Sequence, residues 1–212
     1  MPRIHDLSPL VSERLAVWPG DVPYRRRVSL ALAQGANLDL SSLEATLHLG
    51  AHADAPSHYA PGAEGIDRVD LGPYLGPCEV IAVSVPRGAR ILPAHLPGPV
   101  RAPRVLLRTG TFPDPERFNE DFASLSPELI RELRRQGCVL VGLDTPSVDP
   151  FDSKALESHQ ALRETGMRNL EGLLLEGVPE GLHTLVALPL RLEGADASPV
   201  RAVLVEGPGG LC

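Results

Sequence analysis

The chain has 212 residues, a mass of 22.7 kDa, 43% hydrophobic residues and 22% charged residues. Length and composition predict one globular domain over residues 1–212, because such a chain can bury a sizeable core but is too short for two large domains. The net charge of −7 excludes a general affinity for nucleic acid or for anionic membrane surfaces.

Short apolar or β-branched runs between turns predict strands in the first half of the chain. The predicted strands are residues 2–7, Arg25–Leu32, Cys78–Val85 and Arg104–Thr109. The five prolines of Pro86–Pro103 predict a loop between the last two strands.

The most distinct helix signal covers Ser126–Gln136. Ser126 is a good N-cap, Pro127 suits the first helical position, and Gly137 is placed for a left-handed C-terminal cap. Cys138–Leu143 follows at once as a predicted strand.

A second helix is predicted over Lys154–Glu164, ending at Gly166, and a third, short helix is predicted to begin near Asn169. Closing strands are predicted at His183–Ala187 and Val200–Val205. Because strands outnumber helices and occur in both β-β and β-α-β order, we expect a mixed, strand-rich sheet flanked by a few helices.

Three of the seven histidines fall in one short run, HLGAHADAPSH, which covers residues 48–58. Imidazole and carboxylate groups are ligands that zinc and similar ions accept. His48 and His52 are four residues apart, but Gly50 and Pro56 disfavour a helix, so we expect the two rings to converge where a strand turns into a loop. Asp54 can share a face with His52 in an extended segment, and its two oxygens could bridge two ions.

Each of these residues also has a simpler interpretation. The three histidines could be unrelated loop residues, although their clustering favours a metal site. Trp18, the only tryptophan, would usually anchor a core or an interface. The Pro-Gly-Asp sequence that follows Trp18 places it on a loop, which favours a role in lining a pocket.

The run HLGAHADAPSH resembles the metal-binding segment of the cyclase-like metal-dependent hydrolases, whose pattern is His-x-Gly-Thr-His-x-Asp-x-Pro-x-His. Other blocks resemble the same family: IHDLS at 4–8, VWPGD at 17–21, GLDTPSVD at 142–149, and His159 followed by NLEG at 169–172. These blocks span most of the chain. Ala51 departs from the family's frequent threonine, which removes a hydroxyl group but no ligand.

The resemblance implies the swivelling β/β/α fold of cyclase-like proteins and a site for two divalent ions, Zn²⁺ or alternatively Mn²⁺. It implies a first ion on His48, His52 and Asp54, and a second ion on Asp54, His159 and Glu171. In the same family pattern His58 is an unligated general acid/base, and Trp18 lines the substrate pocket.

Within this family the likeness is strongest to members that hydrolyse N-formyl arylamines. It implies hydrolysis of N-formyl-L-kynurenine to L-kynurenine and formate, with a hydroxide activated by two metals as the nucleophile and His58 as the proton donor. One alternative is a related hydrolase that acts on another cyclic or acyl amide such as isatin. A non-catalytic metal-binding protein is the other alternative, and the presence of His58 beside the full ligand set weighs against it.

The expected partners are a small-molecule substrate and, by resemblance alone, a second copy of the chain in a homodimer. Cys78, Cys138 and Cys212 form an odd, scattered set, which fits a reducing compartment. No apolar run approaches the ~20 residues of a membrane span, and the first residues lack a signal-peptide pattern. We therefore expect a cytoplasmic protein.

Overall fold

The computed structural model describes residues 3–207. In chain order its strands are β1 (Ile4–Asp6), β2 (Arg25–Leu30), β3 (Leu40–Glu44), β4 (His52–Asp54), β5 (Leu75–Ala82), β6 (Arg90–Ile91), β7 (Arg104–Arg108), β8 (Ser124–Leu125), β9 (Leu140–Leu143), β10 (Arg168–Leu170), β11 (Gly181–Val186), β12 (Ala197–Pro199) and β13 (Val203–Glu206). The α-helices are α1 (Pro127–Arg135) and α2 (Glu157–Thr165).

A seven-stranded sheet forms the centre of the molecule, in the order β1-β13-β11-β5-β7-β9-β10. Its first half, from β1 to β5, is antiparallel, and its second half, from β5 to β10, is parallel. The remaining strands pair as β4 with β12, β2 with β3, and β6 with β8. The expected mixed α/β sheet flanked by a few helices is confirmed.

The sheet is buried on both faces because its central strands β5, β7 and β9 are largely apolar and most of their residues are buried. Val105 and Leu107 of β7 lie in one apolar core with residues of α1 and α2. Leu106, which points to the opposite face, lies in a second core that includes Ala53 of β4. The helices therefore cover one face of the sheet, and β4 with its adjoining loops covers the other.

Local sequence signals account well for helix α1. The Ser126 Oγ accepts a hydrogen bond from the Leu129 N–H at 3.1 Å, and Pro127 occupies the first helical position, as predicted. Gly137 has a φ of 91° and follows the helix end. Of residues 3–207, no helix has the length and apolarity that crossing a bilayer requires.

Several details of the predicted elements are wrong; helix α2, for example, begins at Glu157 rather than Lys154. The segment at Asn169 is not a third helix but the short strand β10, which pairs in parallel with β9. Strand β10 lies at the edge of the sheet, and its pairing with the buried strand β9 outweighs the weak helical pattern of its sequence. Strand β5 begins at Leu75 rather than Cys78. Pro77 lies opposite Thr184 of β11, in the part of β5 that precedes the start of its pairing with β7 at Glu79.

The predicted loop Pro86–Pro103 also contains short regular elements. It includes β6, which pairs with β8, and a 3₁₀ turn at Pro93–His95. A two-residue strand is too short to show a period of two residues. The prolines of this segment therefore predict only a loop.

Candidate active site

A cavity of about 440 Å³ opens at the carboxyl ends of the parallel strands. Asp144 directly follows β9, Glu171 directly follows β10, and Phe112 lies a few residues beyond β7; all three line the cavity. Ligand sites in open α/β sheets characteristically lie at this edge, where loops from neighbouring strands meet.

Strand β4 carries two of the predicted metal ligands, His52, which lines this cavity, and Asp54 beside it. His52 and Asp54 are two residues apart, so strand alternation turns them to the same side, with His52 Nε2 3.5 Å from Asp54 Oδ1. His48 approaches from the preceding turn and places its Nδ1 3.0 Å from the same oxygen. The rings of His48 and His52 therefore lie close together where a loop meets strand β4, with centroids 5.0 Å apart.

The second ligand segment is joined to the first through the backbone. The N–H of His52 donates to the carbonyl of Glu171 at 3.1 Å, and the N–H of Glu171 donates to the carbonyl of His52 at 3.0 Å. His159, on helix α2, places its Nε2 3.4 Å from Asp54 Oδ2 and 3.7 Å from Glu171 Oε1. Helix α2 ends at Gly166 and β10 returns the chain, so His159 and Glu171 lie close together.

Two glycines allow the ligand segments to approach this closely. Gly172 has a φ of 64°, and a Cβ atom on it would lie 2.2 Å from the carbonyl oxygen of Gly50. Gly50 itself has a φ of 56° and abuts Pro9. The contact between the two ligand loops is therefore one that only glycine can make at position 172.

We expect Gly172→Ala to lower the thermal stability and the metal content of the protein, since the methyl group must push the Glu171 loop away from the His52 loop. Left-handed backbone alone costs an alanine about 1–2 kcal/mol, and the overlap with Gly50 adds to this. Gly177→Ala is a matched control, because Gly177 has a φ of 71° and open space where its Cβ would lie. Equal effects in melting experiments and metal analysis on the two variants would contradict this explanation.

Asp149 orients His159, a role that the sequence did not reveal. It is fully buried, and its Oδ2 lies 2.8 Å from His159 Nδ1. Its carboxylate also accepts the backbone N–H groups of Ser158 and His159 in the first turn of α2. Because the Nδ1–H of His159 donates to Asp149, the Nε2 atom of the ring faces Asp54 and Glu171.

Asn169 holds the two central carboxylates in place. Its side-chain amide donates to Asp54 Oδ2 at 2.7 Å and to Glu171 Oε1 at 3.0 Å. The N–H of Val148 donates to Glu171 Oε1 as well, at 2.9 Å. Asn169 lies two residues before Glu171. In an extended segment this spacing places both side chains on the same face, so the sequence contains a local signal for their contact.

The charges of the site are strongly coupled. Burial lowers the pKa of His159, but the hydrogen bond with Asp149 and the nearby negative charge of Asp54 outweigh this effect and raise that pKa to about 10. Burial likewise lowers the pKa of His48, while Asp54 and Asp196 raise it to about 9. Burial raises the pKa of Asp54, yet the surrounding histidines hold it below its usual value. Buried carboxylates that stabilise positive charge in this way also favour a bound cation.

The donor atoms of the site fit a divalent metal ion. Among residues 3–207, His52 Nε2, Asp54 Oδ1 and His159 Nε2 are buried without a hydrogen-bond partner. Buried polar atoms need a partner, and these three belong to imidazole and carboxylate groups. Neighbouring donor atoms lie 3.0–3.7 Å apart, close to the roughly 3.3 Å expected for ligands about 2.0–2.1 Å from a tetrahedral zinc ion.

The two oxygens of Asp54 face different residues. Oδ1 faces His48 and His52, whereas Oδ2 faces His159. This arrangement would let the carboxylate contribute one oxygen to each of two ions, as the family resemblance implies. The distances between donor atoms also allow a different division of the ligands. One group is His48, Asp54 and His58, and the other is His52, Asp54 and Glu171. The division of ligands implied by the family resemblance therefore stays a prediction.

One wall of the cavity is aromatic. Trp18 lines the cavity and stacks on Phe151, with ring centroids 5.0 Å apart and an interplanar angle of 29°. Phe118 and Phe122 contact Trp18 edge-to-face at 5.5 and 6.1 Å, and Phe112 packs on both of them. The only tryptophan and all four phenylalanines of the chain thus form one cluster, in which Trp18 both packs and lines the cavity.

Comparison with known proteins agrees with this geometry. Residues 5–150 match the sequence profile of the family described as putative cyclase. The kynurenine formamidase of Bordetella pertussis is 47% identical over 208 residues, which cover 97% of this chain and 99% of that protein. This chain belongs to the cyclase family.

Solved structures of similar proteins share the fold of this cyclase-family chain. A structure described as a potential metal-dependent hydrolase with cyclase activity superposes with a TM-score of 0.82 at 25% identity, covering 98% of this chain and 99% of the other. Isatin hydrolase A from Labrenzia aggregata superposes with a TM-score of 0.78 at 24% identity, covering 95% and 93%. The cyclase fold expected from the sequence is thereby confirmed.

Proposed function

We propose that this chain is a kynurenine formamidase (arylformamidase), an amide hydrolase that converts N-formyl-L-kynurenine and water to L-kynurenine and formate in tryptophan degradation. The observation that carries the proposal is a single cavity that joins a cation-binding histidine and carboxylate cluster to an aromatic wall. Such a cavity fits an aryl ring beside a hydrolysable amide. The full-length similarity to a kynurenine formamidase supports the same substrate.

His48, His52, Asp54, His159 and Glu171 would hold two divalent ions, and we propose Zn²⁺, with Mn²⁺ as the alternative. Bound divalent ions in such a pair lower the pKa of water and stabilise negative charge on a carbonyl oxygen. Asp149 and Asn169 would then keep the ligands oriented, through the hydrogen bonds they make in the structure.

His58 would move the protons of the reaction. Its side chain is 32% exposed and lines the cavity, and partial burial lowers its pKa below the usual value. The ring is then neutral at physiological pH, so it can accept a proton from the attacking water. It would return that proton to the aniline nitrogen as the C–N bond breaks, because without it the leaving group would be an anilide anion, which is a poor leaving group.

Trp18 would hold the substrate ring. Its indole is fixed by stacking on Phe151, so it offers a rigid aromatic surface at low entropic cost. An arylketone placed against this surface would direct its formamide toward His58 and the ligand cluster, which line the same cavity.

A paired assay tests this proposal. Protein purified without added metal is analysed for bound metals and assayed with N-formyl-L-kynurenine and with isatin. We expect about two divalent ions per chain and turnover of N-formyl-L-kynurenine in preference to isatin. Preferential turnover of isatin would assign the chain to the related hydrolases, and turnover of neither substrate would indicate a non-catalytic metal-binding protein.

We also propose that the protein is a cytoplasmic homodimer. The sparse cysteines support the location, since Cys78 and Cys138 are buried free thiols. The hairpin of β2 and β3 supports the dimer, because every one of its strand residues is exposed. An isolated two-stranded hairpin is only marginally stable in water, and this one exposes apolar side chains such as Val28 and Leu43.

We expect Leu43→Glu to convert the dimer to a monomer in light-scattering measurements. Leu43 is 70% exposed, pairs with Arg26, and shares a face of the hairpin with Val28, so a charge there would oppose apolar association. Ser42→Glu is the matched control, since it places the same charge on the opposite face. A Leu43→Glu variant that remains dimeric would exclude this face as the interface.

A further inference from the structure

We infer that Asp196 is a positioning residue that acts through His58, an inference that rests on the proposed function. Asp196 does not belong to the ligand set or to the blocks that resemble the family. Among the residues that the structure describes, Asp196 is not one of those that line the cavity. It stands behind His58, where a carboxylate can hold an imidazole without touching the substrate.

The contact is made by one carboxylate oxygen. Asp196 Oδ2 lies 3.5 Å from His58 Nδ1 and 3.2 Å from His48 Nε2. The centroids of the His48 and His58 rings are 4.2 Å apart. A single acidic side chain therefore spans the proposed ligand His48 and the proposed acid/base His58.

The backbone of Asp196 is fixed even though its side chain is 49% exposed. Its carbonyl accepts the N–H of Ala55 at 2.8 Å, directly beside the ligand strand β4. On one side, the carbonyl of Ala195 accepts the N–H of Ile66 at 2.8 Å, and on the other, Ala197 pairs with Asp54 in the β12–β4 ladder. The carboxylate is thus anchored to the same strand that carries the ligands.

This geometry favours one tautomer of His58. With the carboxylate oxygen 3.5 Å from Nδ1, a proton on Nδ1 is stabilised by the negative charge, and Nε2 is left as the basic atom of a ring that lines the cavity. Without a carboxylate the ring can adopt the other tautomer or rotate about χ2, and both changes remove the basic atom from its place. Loss of such an orienting carboxylate reduces the rate of histidine-dependent hydrolysis while leaving substrate binding intact.

The test uses Asp196→Asn and Asp196→Ala, with Glu193→Gln as the control. Glu193 is a nearby exposed carboxylate of the same loop. We expect both Asp196 variants to lower kcat for N-formyl-L-kynurenine about 10- to 100-fold, with KM, metal content and melting temperature unchanged. In the double variant with His58→Ala, the loss should equal that of His58→Ala alone, because a residue acting only through His58 has nothing left to act on.

Three results would overturn the inference: an unchanged kcat, losses that add to those of His58→Ala, or a fall in metal content, which would place the action of Asp196 on His48 instead. A measurement independent of turnover separates this inference from the proposed function. In ¹⁵N NMR of the metal-loaded protein, the His58 ring should carry its proton on Nδ1, and Asp196→Ala should change that signal. If the wild type fails to hydrolyse N-formyl-L-kynurenine, the proposed function fails, and an unchanged NMR signal would still refute the role of Asp196.

Discussion

We expect the His58→Ala variant to retain the metal content of the wild type and to hydrolyse N-formyl-L-kynurenine about 10²- to 10⁴-fold more slowly. The physical reason is the position of His58 at the end of the 3₁₀ turn Pro56–His58, which separates it from the buried ligands of β4. Its side chain remains 32% exposed, whereas those of His52 and Asp54 are 3% and 0% exposed. Deleting the ring should therefore remove a proton carrier and leave the buried ligands in place.

Metal analysis and steady-state kinetics on the same preparation check this prediction. His95→Ala serves as the control, because His95 lies in a different 3₁₀ turn, where its Nδ1 accepts the N–H of Leu92. A His58→Ala variant that loses metal would show that His58 is a ligand, as the grouping of His48, Asp54 and His58 by distance allows. Full activity with normal metal content would remove His58 from the reaction.

The part of the site that sequence could predict is the part that is local in the chain. His48, His52, Asp54 and His58 lie within one short run, so composition and spacing alone pointed to a metal site. His159 and Glu171 were predicted only through family resemblance, because the turn from α2 into β10 that joins them leaves no periodic signal. The structure brings both beside Asp54, although their roles remain to be tested.

The supporting residues could not be predicted, because folding alone creates their contacts. Asn169 and Asp54 are separated by 115 residues, and Asp196 and His48 by 148 residues. Each is an ordinary polar residue in sequence, without a neighbouring histidine or a spacing that suggests chemistry. Asp149 was closest to being recognised, since it lies only ten residues before His159, but Pro146 and its neighbours indicated a turn.

The predicted elements agree best with the structure where contacts between residues close in the chain determine the fold. Helix α1 begins at its capping serine and ends before its glycine because backbone groups at helix ends need those partners. Strand β10 was mistaken for a helix, since three residues carry no alternation and only pairing with β9 makes them a strand. The hairpin of β2 and β3 was predicted in part at β2, but its complete exposure could be seen only in three dimensions.

We expect His159→Ala to reduce the metal content from about two ions per chain toward one, because His159 contributes to the proposed second ion and not to the first. Its Nε2 faces Asp54 Oδ2 and Glu171 Oε1, while His48 and His52 face Asp54 Oδ1. The first ion therefore keeps its ligands when the ring is removed, and activity should fall with loss of the second.

The metal count of His159→Ala is the measurement that decides whether Asp54 bridges two ions. Asp149→Asn should give a weaker form of the same effect, since it keeps the ring but removes the carboxylate that holds Nδ1 at 2.8 Å; outer hydrogen-bond partners of this kind typically change metal affinity about 10- to 100-fold. Graded loss in the two variants, with His95→Ala unchanged, is the pattern expected of a ligand and its orienting partner. A count that stays at the wild-type value in His159→Ala would instead place both ions on the remaining donors and refute the second site.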